Sequence, residues 1–383
     1  MNHMATNPNG TNPNNTNPID TTLGETSSPA QALSAGKLRH LMTLADADGV
    51  FRMIAVDQRP PLIHAIAAAD GIPDEDVTYE QIATLKGLLT RGLAPHASAV
   101  LVDPIWTHPH ALVDIPGTTG LLSTLEDHAF EVRGGERYSR RIEGWSVAKI
   151  KRTGAAGVKV LVWHRPGLSD AAAEHQDALV KDVGDACHEH DIPFVLELLV
   201  YPEDGEDTDS VAYARAKPER VLASVEHFSD DAFGVDLLKL EFPCDLKHAA
   251  EYASGAFDGV ARKPAYDLKE VAAYLSDMHQ ATNVPWVLLS AGVGPREFFR
   301  NLELSFAAGA SGFLAGRAVW FDALEAYPDL EGVEEEVAFG SVPYLRQISA
   351  LAETAWPWFE HPRYGGTVVV AGASTSWSKD YGA

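Results

Sequence analysis

The chain has 383 residues, 54 acidic and 30 basic, for a formal charge of −24. That balance argues against nucleic acid and anionic membrane as partners, since both demand clustered Lys and Arg, and an anionic small molecule must be attracted by a few locally placed cations. Two cysteines, Cys187 and Cys244, with no apolar run of membrane-spanning length and no leader-like start, point to a reducing cytoplasm and against a disulfide framework.

Residues 1–30 are rich in Asn, Pro, Thr, Gly and Ser, and Thr-Asn-Pro recurs at 6–8, 11–13 and 16–18. Almost nothing there can be buried, so a disordered tail is expected. From Leu33 the pattern changes. A short helix (Leu38, Leu41, Met42, Leu44) leads into a strand over Phe51–Asp57 that ends in an acid, and helices are expected at Pro61–Ala69 and Tyr79–Leu93.

Further strands are expected at Ala97–Asp103, Gly157–Trp163, Pro193–Leu199, Val235–Leu240, Trp286–Ala291 and Ser311–Gly316, with a weaker one near Gly120–Glu126. Between them lie helical patterns at Ser146–Thr153, Asp170–His190, Pro218–Phe228, Leu268–Thr282 and Pro295–Ala308. Strands alternating with helices imply βαβ units and a parallel sheet, and eight of them predict an α/β fold of the closed (β/α)8, or TIM barrel, type. A doubly wound open sheet is the alternative, but Asp57-Gln58-Arg59-Pro60-Pro61 is nothing like a Gly-rich dinucleotide turn. Leu330–Thr354 reads as a closing helix and the stretch from Trp356 as an irregular tail. The expected domains are therefore a tail over 1–30, a barrel over 31–358 and an extension over 359–383.

In a barrel, chemistry is carried by the C-terminal ends of several strands. Those ends supply Asp57, Asp103, Lys159, Glu197, Lys239, Ser290 and Arg317, and all but Ser290 are charged residues in or just after apolar runs. A core excludes unpaired charges of this kind. Lys239 is the one on which the rest turns. A strand buried on both faces has no cheap place for an ammonium, so the lysine either pairs with an acid such as Glu241 or works as a nucleophile. Side chains alternate along a strand, so Lys239 and Glu197 can meet inside the barrel.

Two lysines and a glutamate suit Schiff-base chemistry. An amine attacks a ketone only when unprotonated, and a second nearby cation, the role expected of Lys159, favours that form. The iminium is an electron sink that lets a carbon–carbon bond break, and Glu197 is the candidate acid/base. A set of buried ion pairs holding the barrel together is the other reading of the same residues. Ser290-Ala291-Gly292-Val293-Gly294-Pro295 opens a helix, and Gly316-Arg317 ends the eighth strand; barrels often bind phosphate at these two loops.

Other features are discounted. Cys187-His188-Glu189-His190 falls at a helix C-terminus, where His is electrostatically welcome. His108-Pro109-His110 is expected to be loop, and the run Glu203-Asp204-Gly205-Glu206-Asp207 has the wrong spacing for calcium.

The segments AVDQR (55–59), VKVLVW (158–163), LELLVYPEDG (196–205), SVAYARAKPERV (210–221), VDLLKLEFP (235–243), LLSAGVG (288–294) and LAGRAVW (314–320) resemble the tagatose 1,6-bisphosphate aldolase family, class I enzymes that include sulfofructosephosphate aldolases. The resemblance runs in order from about Lys37 to Trp358. It implies a TIM barrel without metal or cofactor that cleaves a phosphorylated ketose to dihydroxyacetone phosphate and an aldehyde. By the same resemblance the Schiff-base lysine falls on Lys239, the acid/base on Glu197, and the second lysine on Lys159. The first-strand triplet falls on Asp57, Gln58 and Arg59, and the phosphate serine and arginine on Ser290 and Arg317, with Gly292 and Gly316 beside them.

The chain departs from the family at Pro60, where glycine is usual, at Leu198, where proline is usual, and at His164-Arg165-Pro166-Gly167, where tyrosines and an acid are usual. Arg59, His164 and Arg165 are then the cations available for a second phosphate, a sulfonate or neither. A metal-dependent barrel lyase and a non-catalytic sugar-phosphate-binding regulator are the competing functions. A homo-oligomer is expected by analogy alone.

Overall fold

The computed structural model describes residues 32–382, and the tail expected over 1–30 lies outside them. Eight parallel strands close into a barrel: β1 (Phe51–Ala55), β2 (Ala99–Val102), β3 (Gly120–Thr124), β4 (Gly157–Trp163), β5 (Phe194–Leu199), β6 (Leu237–Leu240), β7 (Trp286–Leu289) and β8 (Gly312–Ala315). Each pairs with the next, and β8 returns to β1 with Phe51 opposite Gly312. The expected TIM barrel is therefore the fold, with helices between the strands.

Period-two alternation divides each strand between two environments. Val158, Val160 and Val162, Leu196 and Leu198, and Leu238 and Leu240 face outward into the main apolar layer under the helices. Val195, Leu237, Val287 and Leu314 face inward, where they form an apolar floor with Met53, Leu101 and Leu122. Two residues further along the same inward face come Glu197 and Lys239, so the charged layer stands directly on that floor.

The floor is closed from below by both ends of the described chain. Helix α1 (Ala35–Leu44) contributes Leu38, Leu41 and Leu44, and the segment after the barrel contributes Trp358, Phe359, Tyr364 and Val368. Leu33 pairs with Val370, and the Tyr381 hydroxyl donates to Asp191. The stretch from Trp356 is irregular, as expected, but it is also a packed plug.

Four local features differ from the sequence expectation; the first is His108-Pro109-His110, expected as loop, which lies in a short helix over Thr107–Ala111. The helix expected from Pro218 begins at Val211 and runs to Phe228, because the Ser210 side chain caps it by accepting from the Tyr213 N–H. Pro218 sits inside that helix with its ring buried, forfeiting a single N–H. A hairpin, Glu131–Arg133 against Glu136–Tyr138, follows β3. It turns on Gly134 and Gly135, both at positive φ, as a two-residue hairpin turn of this hand requires. The closing helix is two helices, Leu330–Glu336 and Val342–Leu351, joined by a wider π-type turn at Val337–Ser341.

Trp358 is only 2% exposed. Replacing it with alanine is expected to cost about 3–5 kcal/mol of unfolding free energy, read by urea denaturation. A loss below about 1 kcal/mol would contradict its role in closing the floor.

Candidate active site

A cavity of about 500 Å³ opens at the C-terminal ends of the strands, and Asp57, Gln58, Arg59, Lys159, Glu197, Lys239, Ser290, Gly316 and Arg317 all line it. The strand register brings the central pair together: Glu197 lies opposite Lys239 across β5 and β6. Lys239 Nζ donates to Glu197 Oε2 at 2.9 Å, and the same oxygen lies 2.7 Å from Lys159 Nζ. Lys159 also contacts Glu126 Oε1 at 2.6 Å and Asp57 Oδ2 at 3.1 Å. One carboxylate therefore bridges two ammoniums, and one ammonium gathers three carboxylates.

All five of these groups are buried, and opposite charges stand beside each against the cost of leaving water. Burial opposes the charge of Lys159, but Asp57, Glu126 and Glu197 outweigh it and hold its pKa above the usual lysine value. Burial would push the Asp57 carboxyl up, yet Lys159, Lys239 and Arg59 hold it well below the usual carboxylate range. Glu197 is held low in the same way, by Lys159 and Lys239. The bare second cation expected beside Lys239 is thus surrounded by acids.

The loops after β7 and β8 form the other corner. Arg317, after β8, is partly buried, and burial lowers its pKa against the pull of Glu197 and Asp57. Gly292 explains its position. A Cβ there would meet the guanidinium at 2.8 Å, and the backbone is left-handed at Ala291 (φ 47°) and Gly292 (φ 80°). Ser290 Oγ accepts from the Gly316 N–H at 3.4 Å, and a Cβ on Gly316 would meet the Gln58 amide at 2.5 Å. The helix opening from this loop, Pro295–Ala308, has Gly294 at its N-cap and no side-chain cap, so its first N–H groups remain available to an anion.

At the end of β1, the neighbour of β8, Arg59 Nη2 donates to the Glu126 carbonyl at 3.1 Å, while Arg59 Nη1 and Gln58 Oε1 find no protein partner among the described residues. Both residues line the cavity.

Some expected positions are not brought in. Asp103 is fully buried away from the cavity. It pairs with Lys86 at 2.6 Å, accepts from Thr107 Oγ1, and receives the Ile105 and Trp106 N–H groups, so it closes a loop and holds β2 to a helix. His164 faces outward, stacked on His227 and bonded to Ser224, and burial lowers its pKa to about 4. Arg165 lies over the Tyr201 ring and reaches Glu203. Of the three cations considered for the far end of a ligand, only Arg59 lines the cavity.

The sequence reading missed Glu126, although the strand before it was drawn to end there. It also missed the wall formed by His128, Phe130, Leu161, Trp163 and Leu199. Among the described residues, no group of three or more His, Cys, Asp or Glu side chains is gathered as a metal ion would need.

The DeoC/LacD family aldolase model matches residues 51–322. The tagatose 1,6-diphosphate aldolase of Streptococcus agalactiae serotype V is 32% identical over 331 residues, covering 85% of this chain and 98% of that protein. The tagatose 1,6-diphosphate aldolase of Lactococcus lactis subsp. lactis is 32% identical over 333 residues with the same coverage. Among solved structures, a Schiff-base-forming fructose-1,6-bisphosphate aldolase gives a TM-score of 0.51 at 17% identity, covering 82% of this chain and 99% of its own. The Plasmodium falciparum fructose-bisphosphate aldolase gives 0.57 at 15%, covering 90% and 99%. At those identities the likeness is one of fold.

Barrel and relatives together define the class, an aldolase, which is a carbon–carbon lyase. The chain belongs to the DeoC/LacD aldolase family.

Lys159→Met should expose the electrostatic balance of the mouth. The depressed Asp57 and Glu197 groups contribute stability that is complete above the ordinary carboxylate pKa, near pH 4, and lost only as pH falls through their lower folded values. Without Lys159 those folded values rise toward the ordinary one, so the variant, already about 3–5 kcal/mol less stable at neutral pH from the broken network, has less stability left to lose on acidification and a flatter profile below about pH 5. Melting temperatures between pH 3 and pH 8 read this out. Parallel profiles for the two proteins would contradict the assignment.

Proposed function

We propose that the protein is a class I, Schiff-base aldolase that cleaves a phosphorylated ketohexose to dihydroxyacetone phosphate and a three-carbon aldehyde. The observation that carries this reading is the Lys239 amine in the cavity, 2.9 Å from a Glu197 carboxylate that Lys159 keeps ionised.

The steps follow from those contacts. Lys239 gives a proton to Glu197 and adds through its free pair to the C2 carbonyl of the ketose; Glu197 returns that proton to the carbinolamine hydroxyl, which leaves as water, so that an iminium and a Glu197 carboxylate remain. Glu197 accepts the C4 hydroxyl proton as the C3–C4 bond breaks, the electrons passing into the iminium to give an enamine. The aldehyde leaves, C3 is reprotonated, and water releases the second product from Lys239. Asp57 and Glu126 keep Lys159 charged, and Lys159 in turn fixes Glu197.

Arg317, Ser290 and Gly316, which line the cavity, would hold the C1 phosphate, with the Gly292 turn packed against the Arg317 guanidinium. Gln58 and Arg59, which line the cavity, would meet the sugar beyond C4. The names of the relatives favour a tagatose 1,6-bisphosphate-like substrate over a sulfofructose 1-phosphate-like one. A metal-dependent mechanism finds less support, because the acids of the mouth converge on the Lys159 ammonium where a divalent ion would have to displace it.

Borohydride added with a ketose phosphate is expected to inactivate the enzyme irreversibly, with the added mass on Lys239, and chelators should leave turnover unchanged. Wild-type turnover in Lys239→Ala would end the proposal. A panel of ketoses with coupled detection of dihydroxyacetone phosphate should show the bisphosphate cleaved faster than the sulfonate. The reverse order would reassign the far end.

A further inference from the structure

Two residues beyond Lys239, on the same face and about 7 Å further along the chain, stands Glu241. It is the acid that could have paired with Lys239. It is turned elsewhere: Glu241 Oε2 lies 2.9 Å from Lys217 Nζ, and Glu241 Oε1 accepts the Val200 N–H at 2.7 Å. Glu241 keeps 8% of its side chain exposed and Lys217 keeps 16%, so the pair is largely withdrawn from water. It forms a partition. Glu241 lines the active-site cavity and also a second cavity of about 330 Å³, whose wall includes Lys217.

The bond to Val200 crosses from the end of β6 to the end of β5, the two strands that carry Lys239 and Glu197 opposite each other. Lys217 comes from the helix between those strands, one residue before Pro218. Helix, strand end and strand end are therefore tied at one carboxylate.

We propose that the Lys217–Glu241 pair is a positioning device for the Lys239 amine. It pins the ends of β5 and β6 so that Glu197 and Lys239 remain opposed, and it cancels a carboxylate charge that would otherwise favour the protonated amine. The inference rests on the Schiff-base reading of Lys239. Neither residue needs to touch the reacting atoms.

The charges around the pair define the expected sign. Lys217 is held charged against burial by Glu241, with Asp245 from the loop after β6 and Tyr213 from its own helix adding to the effect. Cys244 and Glu297 also lie within its field. Lys239 faces Glu197 from β5 and Asp57 from the end of β1, with Lys159 from β4 on the same Glu197 oxygen. Against that background, Lys217→Met leaves a bare carboxylate near the amine, while Glu241→Gln leaves a bare ammonium and keeps an oxygen for the Val200 N–H.

The test uses the full chain carrying Lys217→Met, Glu241→Gln, or both. The pH dependence of kcat/KM and borohydride trapping with a ketose phosphate are measured on each. The acid limb of the profile should move up in pH for Lys217→Met and down for Glu241→Gln, by on the order of one pH unit. In the double variant it should return to the wild-type position. In all three, kcat should fall about 10- to 100-fold while KM changes little.

A purely structural pair would not move the limb in opposite directions. The double variant buries no unpaired charge and so carries the test if Lys217→Met fails to fold; its kcat should still be low, and wild-type kcat there overturns the positioning role. Wild-type enzyme that traps an imine, with unshifted limbs in the variants, also overturns it. Wild-type enzyme that traps no imine overturns the Schiff-base reading beneath it.

Discussion

A single carboxylate oxygen shared by two buried ammoniums sets the character of this barrel. Glu197 cannot face Lys159 and Lys239 in a low-dielectric mouth unless the rest of the charge is accounted for. Asp57 and Glu126 complete the surroundings of Lys159, and Arg59 and Arg317 also line the cavity. Such a network resists partial change, because removing one member strands the others without solvent to replace it. It is also what gives the proposed nucleophile an acceptor at hydrogen-bond distance before any substrate arrives.

Placing those groups requires a rigid base. The alternation of the strands puts Val195 and Leu237 directly beneath Glu197 and Lys239, and the plug of α1 with Trp358, Phe359, Tyr364 and Val368 seals that layer from below. The charged layer therefore rests on close-packed side chains that leave little freedom for the strands to slide. Above it, Gly292 and Gly316 let backbone and side chain approach Arg317 and Gln58 more closely than any side-chain-bearing residue would allow. Precision at the mouth comes from packing below and from missing Cβ atoms above.

Much of this arrangement was legible in the order of residues. Strand-end position singled out Lys159, Glu197 and Lys239, since each interrupts a run that is otherwise apolar, and the loop after β7 announced its helix through Pro295. Asp103 misled because it occupies the same kind of position, a charge at a strand end, but Lys86 claims it from a helix, and sequence order gives no sign of that pairing. Glu126 and Lys217 were invisible as site residues for the converse reason. Each is one acid or base among many until the closed barrel brings it to Lys159 or Glu241. His164 and Arg165 follow β4 immediately, yet the chain has by then turned outward over the helices. The Gly134-Gly135 turn could have announced its hairpin, but its strands are only three residues long and mostly exposed.

The central claim is that the Lys239 amine can leave Glu197 and bond to a keto carbon while Lys159 keeps that carboxylate in place. A crystal structure of the protein soaked with dihydroxyacetone phosphate tests it most directly. The account predicts continuous electron density from Lys239 Nζ to C2, with the phosphate beside Arg317 and Glu197 still on Lys159. An intact ketone lying in the cavity, with Lys239 still hydrogen-bonded to Glu197, would contradict it.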